Sequence, residues 1–339
     1  MQSYIHRQIH EELLKAKHPV LISDERIDGD SLGSSLAMAD YLKRLGHDIQ
    51  VYVPKPVPEQ YHKLPLMDLC TDDQAIFQNA DIDLVAVFDC SDPDYVSRLV
   101  EQIPRSVKVI NIDHHATNPG YGDINQVVAT APAASQIVFD FYQENKIIPS
   151  RDAATLMLMG ICSDTGVFTN GATNAGSLDA GSELILRGAQ VQDIIRLLFR
   201  NRSVEALRIW GAALGRLVEH QPTGFVWTFL TKQDMESSGV SEEEIGGLSN
   251  FLSLVTDVDT LIVFRDSIEG GVKVSMRTRS GNVAEIATAF GGGGHIKAAG
   301  FSLDNSYLTL KDETWGIVQD GQYATIEELF KVKVPHLFK

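Results

Sequence analysis

The chain is poor in cysteine, in basic charge and in long apolar runs. Its three cysteines, Cys70, Cys90 and Cys162, are odd in number and show no paired-ligand spacing. That argues against a disulfide framework or a zinc knuckle and fits a reducing compartment. No stretch is apolar for long enough to cross a bilayer, and residues 1–7 lack the apolar core of a secretion signal. A cytoplasmic protein that does not engage membranes is expected. Lys and Arg number 29 against 45 Asp and Glu, a net charge of −16. Long duplex nucleic acid is bound through broad basic faces that neutralise phosphate, so that class of partner is excluded. A short nucleotide held by a few basic groups and metal ions is not. Neither internal repeats nor low-complexity segments occur.

What is present is an α/β alternation. At 339 residues the chain exceeds one ordinary core, so two domains are expected. Gln2 to Lys17 carries Ile5, Ile9, Leu13 and Leu14 on one helical face. Pro19 to Ser23 reads as a buried strand and Leu32 to Leu45 as a helix closed by Gly46. The small residues Gly33-Ser34-Ser35 at its start would press against the sheet. Strands follow at Ile49–Val53, Leu84–Phe88 and Val107–Ile112, with helices over Tyr95–Gln102, Ala133–Glu144 and Asp152–Cys162. Short loops between alternating strands and helices imply a parallel sheet. Residues 191–219 read as a helical connection. A second set of elements follows, with strands at Gly224–Leu230, Asp259–Phe264 and Val272–Arg279, and helices at Ser241–Ser253 and Val283–Phe290. The resulting boundaries are 1–188 for an N-terminal domain, 189–220 for the connection and 221–339 for a smaller C-terminal α/β domain.

The strand ends carry the chemistry. Asp24, Asp28 and Asp30 follow the first strand, Asp89 follows Phe88, Asp113-His114-His115 follows Ile112, and Asp164 lies where a helix ends. In an open α/β sheet, ligands bind at the carboxyl ends of the strands. Each Asp alone is best read as a loop residue. So many carboxylates at one sheet edge cannot lie together uncompensated, and divalent cations resolve the repulsion. Carboxylates with a few histidines suit manganese or magnesium better than zinc. Two such ions form the usual clamp for phosphoryl displacement. A separate feature is the run Gly291-Gly292-Gly293-Gly294-His295, with Arg277 and Arg279 upstream. Four consecutive glycines should be neither helix nor strand interior, and they let backbone amides approach an anion. A flexible linker is the bland alternative, but the flanking phosphate-binding residue types favour a substrate-gripping loop.

In this order, Asp28-Gly29-Asp30-Ser31-Leu32-Gly33-Ser34, Asp89, Asp113-His114-His115, Gly160-Ile161-Cys162-Ser163-Asp164-Thr165-Gly166 and Gly291 to Gly300 resemble the motifs of the DHH phosphoesterase family. The glycine-rich signature resembles the associated C-terminal domain of its nano-RNase and pAp-phosphatase branch. The resemblance implies a parallel-sheet N-terminal domain and a smaller α/β domain with the active-site cleft between them. It implies that Asp89 bridges two Mn2+ ions, with Mg2+ or Co2+ as substitutes. Asp28 would help hold one ion, and Asp30, His114 and Asp164 the other. His115 would bind the scissile phosphate and Asp113 would orient a histidine. A hydroxide held between the metals would attack phosphorus in line. Arg277, Arg279, Gly292, Gly293, Gly294 and His295 would grip the far end of a short substrate.

One position departs from the family. Its first motif opens with a histidine four residues before the first Asp, and Asp24 stands there. Either Asp24 ligates through oxygen and shifts preference toward harder cations, or the first metal site is weakened. The function implied is hydrolysis of short oligoribonucleotides and dinucleotides to mononucleotides, and of adenosine 3′,5′-bisphosphate (pAp). A pyrophosphatase would carry a different C-terminal domain in place of the glycine run. From another class, a nucleotide-binding regulator with decayed catalysis would be expected to show losses at several metal positions. A homodimer would follow if the apolar connecting helix buries against another subunit rather than its own domains.

Overall fold

Short apolar runs ending in acids become the strands of a parallel sheet in the computed structural model, which describes residues 2–199, 203–236, 239–240 and 242–338. The chain divides into two units, residues 1–200 and 201–339.

In the first unit, the strands are β1 (Pro19–Ser23), β2 (Gln50–Tyr52), β3 (Cys70–Thr71), β4 (Leu84–Phe88), β5 (Lys108–Asp113) and β6 (Ile124–Val127). They are ordered β3-β2-β1-β4-β5-β6, with every neighbouring pair parallel. Every residue of β1 and β4 is buried, as expected of a sheet covered on both faces. The helices are α1 (Gln2–Lys15), α2 (Gly29–Arg44), α3 (Pro93–Val100), α4 (Ala134–Glu144), α5 (Arg151–Thr165), α6 (Ala175–Leu186) and α7 (Val191–Phe199). Residues from α1, α2, α4 and α5 build the main core with Leu21, Ala86 and Ile110. Tyr95, Val96 and Leu99 of α3 pack on Val20, Ile22, Val85 and Val87, which point to the opposite face.

Gly33 does not press against the sheet, contrary to expectation. A Cβ there would lie 2.5 Å from Leu156 O and 3.1 Å from Gly160 N, so its smallness serves the close approach of α2 to α5.

The second unit contains α8 (Val204–Gly215), β7 (Val218–His220), β8 (Phe225–Leu230), α9 (Lys232–Glu236), α10 (Glu242–Ile245), α11 (Leu248–Val255), β9 (Thr260–Asp266) and β10 (Val272–Thr278). It continues with α12 (Val283–Ala289), β11 (Gly293–His295), β12 (Ala298–Leu303), β13 (Ser306–Lys311), β14 (Thr314–Gln319), β15 (Gln322–Thr325) and α13 (Ile326–Lys333). Strands β11-β12-β10-β9-β8-β7 form a mixed sheet in which only β8 and β9 are parallel. Strands β13, β14 and β15 form an antiparallel meander. One face of the mixed sheet, with Ile262, Met276 and Phe301, packs on α12, α13 and the meander. The other packs Val226, Leu261 and Val263 under α8 and α11.

The alternating architecture expected of both halves is present. The expected helix over 191–219 crosses residues 200–202, which lie outside the described residues. On either side of them, Ile194 and Leu197 of α7 join the first unit's core, while Ala206, Ile209 and Trp210 of α8 join one in the second. The helix expected over Ser241–Ser253 is two short helices, since Gly247 adopts φ +84° between them; Ser241 lies outside the described residues. The glycine run also differs from expectation, because Gly293 and Gly294 belong to an edge strand paired with Gly300 and Ala299. A Cβ on Gly292 would sit 2.2 Å from Gly300 O, and one on Gly294 would sit 2.6 Å from Ala298 O. Strand pairing, with φ +138° at Gly294, is what requires glycine there.

Candidate metal centre

Neighbouring registers align the strand ends. Ser23 pairs with Phe88 and Phe88 with Ile112, so the residues that follow them, Asp24, Asp89 and Asp113, occupy one row of the sheet edge. Adjacent strands are about 4.8 Å apart, close enough for side chains from three of them to meet.

Asp28 is the N-cap of α2, where its Oδ1 accepts the amides of Asp30 and Ser31, both at 2.9 Å. That cap turns Asp30 inward, where it is wholly buried. The Asp30 carboxylate accepts the amides of Ala134 at 2.5 Å and Ser135 at 2.8 Å, replacing the cap that Ala133 cannot supply to α4. Gly160 makes room, since a Cβ there would lie 2.6 Å from Asp30 Oδ1. Burial and the charge of Asp164 push the Asp30 carboxyl up to about 6.

Asp89 directly follows β4 with φ +59°, a left-handed conformation uncommon for a non-glycine residue and frequent at functional sites. Its Oδ1 is buried and, among the described residues, has no hydrogen-bond partner. His114 Nε2 lies 3.4 Å from that oxygen and 3.2 Å from Asp164 Oδ2, and His115 Nδ1 lies 3.6 Å from it. Burial and the charge of Asp30 raise the Asp89 carboxyl well above the usual range. Burial also raises Asp28 and Asp164, each in the field of another acid. Burial by itself would lower His114, but its contacts with Asp164 and Asp89 push it up to about 12.

Asp113 is turned away from this group. Its Oδ1 accepts the amides of His114 at 2.7 Å and His115 at 3.1 Å, and His115 Nδ1 at 2.8 Å. Burial would raise its carboxyl, but the hydrogen bonds from His115 and Asn118 outweigh burial and hold it below the usual range.

Two sets of potential donors therefore converge, Asp89 with His114 and His115, and Asp30 with His114 and Asp164. A buried carboxylate oxygen without a hydrogen bond, ringed by acids and imidazoles, is what a cation site requires. Asp28 and Asp24 stand outside both sets. Asp24 Oδ1 instead accepts the amide of Arg26 at 2.7 Å.

In the second unit, Arg277 Nε donates to Asn250 Oδ1 at 2.8 Å and Nη1 to Met276 O at 2.8 Å. Arg279 donates to Asp257 Oδ1 at 2.5 Å and Thr256 O at 2.8 Å. The register places Lys273, Ser275 and Arg277 on the same face as Ser302, Gly300 and Ala298, and this face also carries Gly293 and His295 of β11. Sequence reasoning passed over Asn118 and Asn111. The available signal was Asn111 itself, an amide inside an otherwise apolar strand, which demands a buried partner.

Comparison with known proteins gives the family of the chain. Residues 19–161 match the DHH family N-terminal domain and residues 223–315 the DHHA1 domain. The chain is 34% identical over 298 residues to the bifunctional oligoribonuclease and PAP phosphatase NrnA of Thermus thermophilus, covering 86% of each chain. It belongs to the DHH family of phosphoesterases. An exopolyphosphatase-related protein from Bacteroides fragilis shares the fold, with a TM-score of 0.82 at 23% identity over 98% of this chain and 95% of that one. Thermus thermophilus RecJ in complex with Mn2+ shares it more distantly, with a TM-score of 0.53 at 16% identity over 89% of this chain and 52% of that one.

Proposed function

We propose that the protein is a manganese-dependent hydrolase of short oligoribonucleotides and dinucleotides, releasing mononucleotides, and that it also dephosphorylates pAp. The buried, unbonded Asp89 Oδ1 carries the reading, lying within reach of His114 and His115. Similarity to an oligoribonuclease and PAP phosphatase names the substrate class.

In this reading, Asp89, Asp30, His114 and Asp164 hold divalent cations, with Asp28 and Asp24 completing the set. Two such ions neutralise phosphate charge and acidify water, chemistry that side chains alone supply poorly. Carboxylate and imidazole donors suit manganese, with magnesium or cobalt as substitutes, and the manganese bound by RecJ supports that choice. His115, oriented by Asp113, contacts the scissile phosphate. Arg277, Arg279, the glycines 292–294 and His295 bind the remote end of the substrate, with Arg277 preset by Asn250.

The test is turnover of a labelled dinucleotide and of pAp, compared in manganese, magnesium and chelator. Metal-dependent release of mononucleotide is expected. Binding without cleavage under every metal would replace this reading with a nucleotide-binding regulator, and the bond from Arg26 to Asp24 would then mark the disabled position.

A further inference from the structure

We infer that Asn118, which lies in the loop after β5 and whose side-chain amide bonds Asp113 and Cys90, is a positioning residue for the centre. Its amide ties together the two loops that present Asp89 and the histidine pair. Asn118 Nδ2 donates to Asp113 Oδ2 at 2.5 Å and to Cys90 O at 3.0 Å. Cys90 is the residue after Asp89, so one amide group spans from the loop after β4 to the loop after β5.

The rest of the network fixes that amide. Asn118 Oδ1 accepts from Asn111 Nδ2 at 3.0 Å and from the Gly120 amide at 2.8 Å. The Asn118 amide closes a turn onto His115 O at 3.1 Å. Asn111 is in turn held by Asn125 Oδ1 at 3.1 Å, and Asn125 is closed onto the Gly122 amide and carbonyl. Tyr121 adds a second donor to Cys90 O at 2.9 Å. Orientation and acceptor choice are therefore imposed on Asn118 from several sides.

The consequence runs through Asp113. Its Oδ1 takes three donors from His114 and His115, and Oδ2 of this buried carboxylate needs a donor of its own. Asn118 supplies that donor and so fixes the carboxylate plane. The plane fixes the His115 ring through Nδ1, and both histidine amides with it. At the other end, the bond to Cys90 O anchors the Cys90–Ser91 peptide, one residue beyond the left-handed Asp89. Outer partners of this kind cost 10- to 100-fold in activity or metal affinity when removed, on the order seen in other metal sites.

The inference rests on the proposed hydrolase reading, and its test separates the two. Asn118→Ala, the isosteric Asn118→Asp, Asp113→Ala and the double variant Asp113→Ala/Asn118→Ala are compared in the full chain. Measurements are kcat and KM on a dinucleotide, manganese affinity by calorimetry with the metal alone, and thermal melting. Both Asn118 variants should lose roughly 10- to 100-fold in kcat with KM within about threefold, and about tenfold in manganese affinity. Loss in Asn118→Asp matters most, because shape is kept while the donor is gone. The double variant should cost little more than Asp113→Ala, because the two residues act as one unit. Should the wild-type protein cleave neither substrate, the hydrolase reading fails, and manganese affinity alone decides the role of Asn118. Unchanged kcat and metal affinity in Asn118→Asp would overturn the inference. So would strictly additive losses in the double variant, or losses that only follow the folded fraction.

Discussion

Ser135 donates its backbone amide to Asp30 Oδ1 at 2.8 Å, so a side chain in the first turn of α2 caps α4 from across the core. With Ala134 on the other oxygen at 2.5 Å, the carboxylate satisfies two helix-terminal donors while facing His114 and Asp164. Structure and chemistry are thus carried by one group. Asp30→Ala should cost about 2 kcal/mol of stability, the upper range for a lost cap with buried donors, and abolish turnover. Asn at this position should recover part of the stability and none of the activity. Urea melts with dinucleotide turnover check this, and an active Asp30→Asn would show that Asp30 is structural only.

His114 predicts how metal binding depends on pH. With its contacts to Asp164 and Asp89 it is pushed up to about 12, so the metal-free protein carries it protonated at neutral pH. A ligating imidazole must be neutral, so manganese binding should expel a proton. Affinity should then rise with pH, by up to about tenfold per unit. Calorimetry in buffers of different ionisation enthalpy measures the release. An enthalpy independent of buffer would remove His114 from the ligand set.

The same groups set the stability of the metal-free protein. A histidine raised on folding stabilises below its unfolded value, and that contribution fades as pH climbs from about 6.5 toward 12. Asp30 is raised from 3.8 to about 6, so folding favours its protonated form and stability is lost as pH rises through that window. Both trends run downward with pH. Metal-free protein should melt higher at pH 5 than at pH 8, and saturating manganese should reverse the order. Identical pH trends with and without metal would contradict the assignment.

Asp89 gives the sharpest separation of function from folding. Its carboxylate is buried, its Oδ1 lacks a hydrogen bond and burial disfavours its charge, a cost that the nearby His114 offsets only in part in the metal-free fold. Asp89→Asn should leave the melting temperature unchanged or raised while turnover falls below detection. Turnover within tenfold of wild type would sink the cation assignment.

The features legible in the sequence were those with local signatures. β1 and β4 were read at their observed bounds because uniform apolar runs flanked by polar loops leave little choice. The placement of Asp89, Asp113 and the histidines along one sheet edge follows from parallel connectivity alone. The meander β13 to β15 was missed, although its hairpin turns carry left-handed Asp312-Glu313 and Asp320-Gly321, the latter a recognised hairpin pair. That Gly293 and Gly294 form a strand is not legible in the sequence, because pairing across a sheet edge is a tertiary fact. Asn118 was invisible for the same reason, since its partners lie 5, 7 and 28 residues away.

Arg277 is held by Asn250 and by the Met276 carbonyl on the face of β10 shared with Lys273 and Ser275. A preset guanidinium binds phosphate at low entropic cost. Arg277→Ala should raise KM roughly tenfold, about 1.4 kcal/mol of binding, and change kcat little. Asn250→Ala should raise KM less, because the guanidinium is loosened but present. An unchanged KM in Arg277→Ala would remove the second unit from substrate binding.

Asp24 stands where the motif resemblance would place a histidine, and its Oδ1 is engaged by the Arg26 amide at 2.7 Å. A carboxylate favours harder, oxygen-preferring ions, whereas imidazole favours manganese and cobalt over magnesium. Asp24→His should therefore widen the preference for manganese over magnesium in turnover. It should also weaken the turn at Arg26, since imidazole replaces the accepting oxygen, and lower the melting temperature by a few degrees, in keeping with about 1 kcal/mol for a lost side-chain cap of this kind. Asp24→Ala is the companion variant, because it loses the turn without offering a donor. If Asp24→His and Asp24→Ala share one metal preference and one rate, position 24 takes no part in holding the cations. If only Asp24→Ala is inactive, the carboxylate ligates in the native chain despite its bond to Arg26.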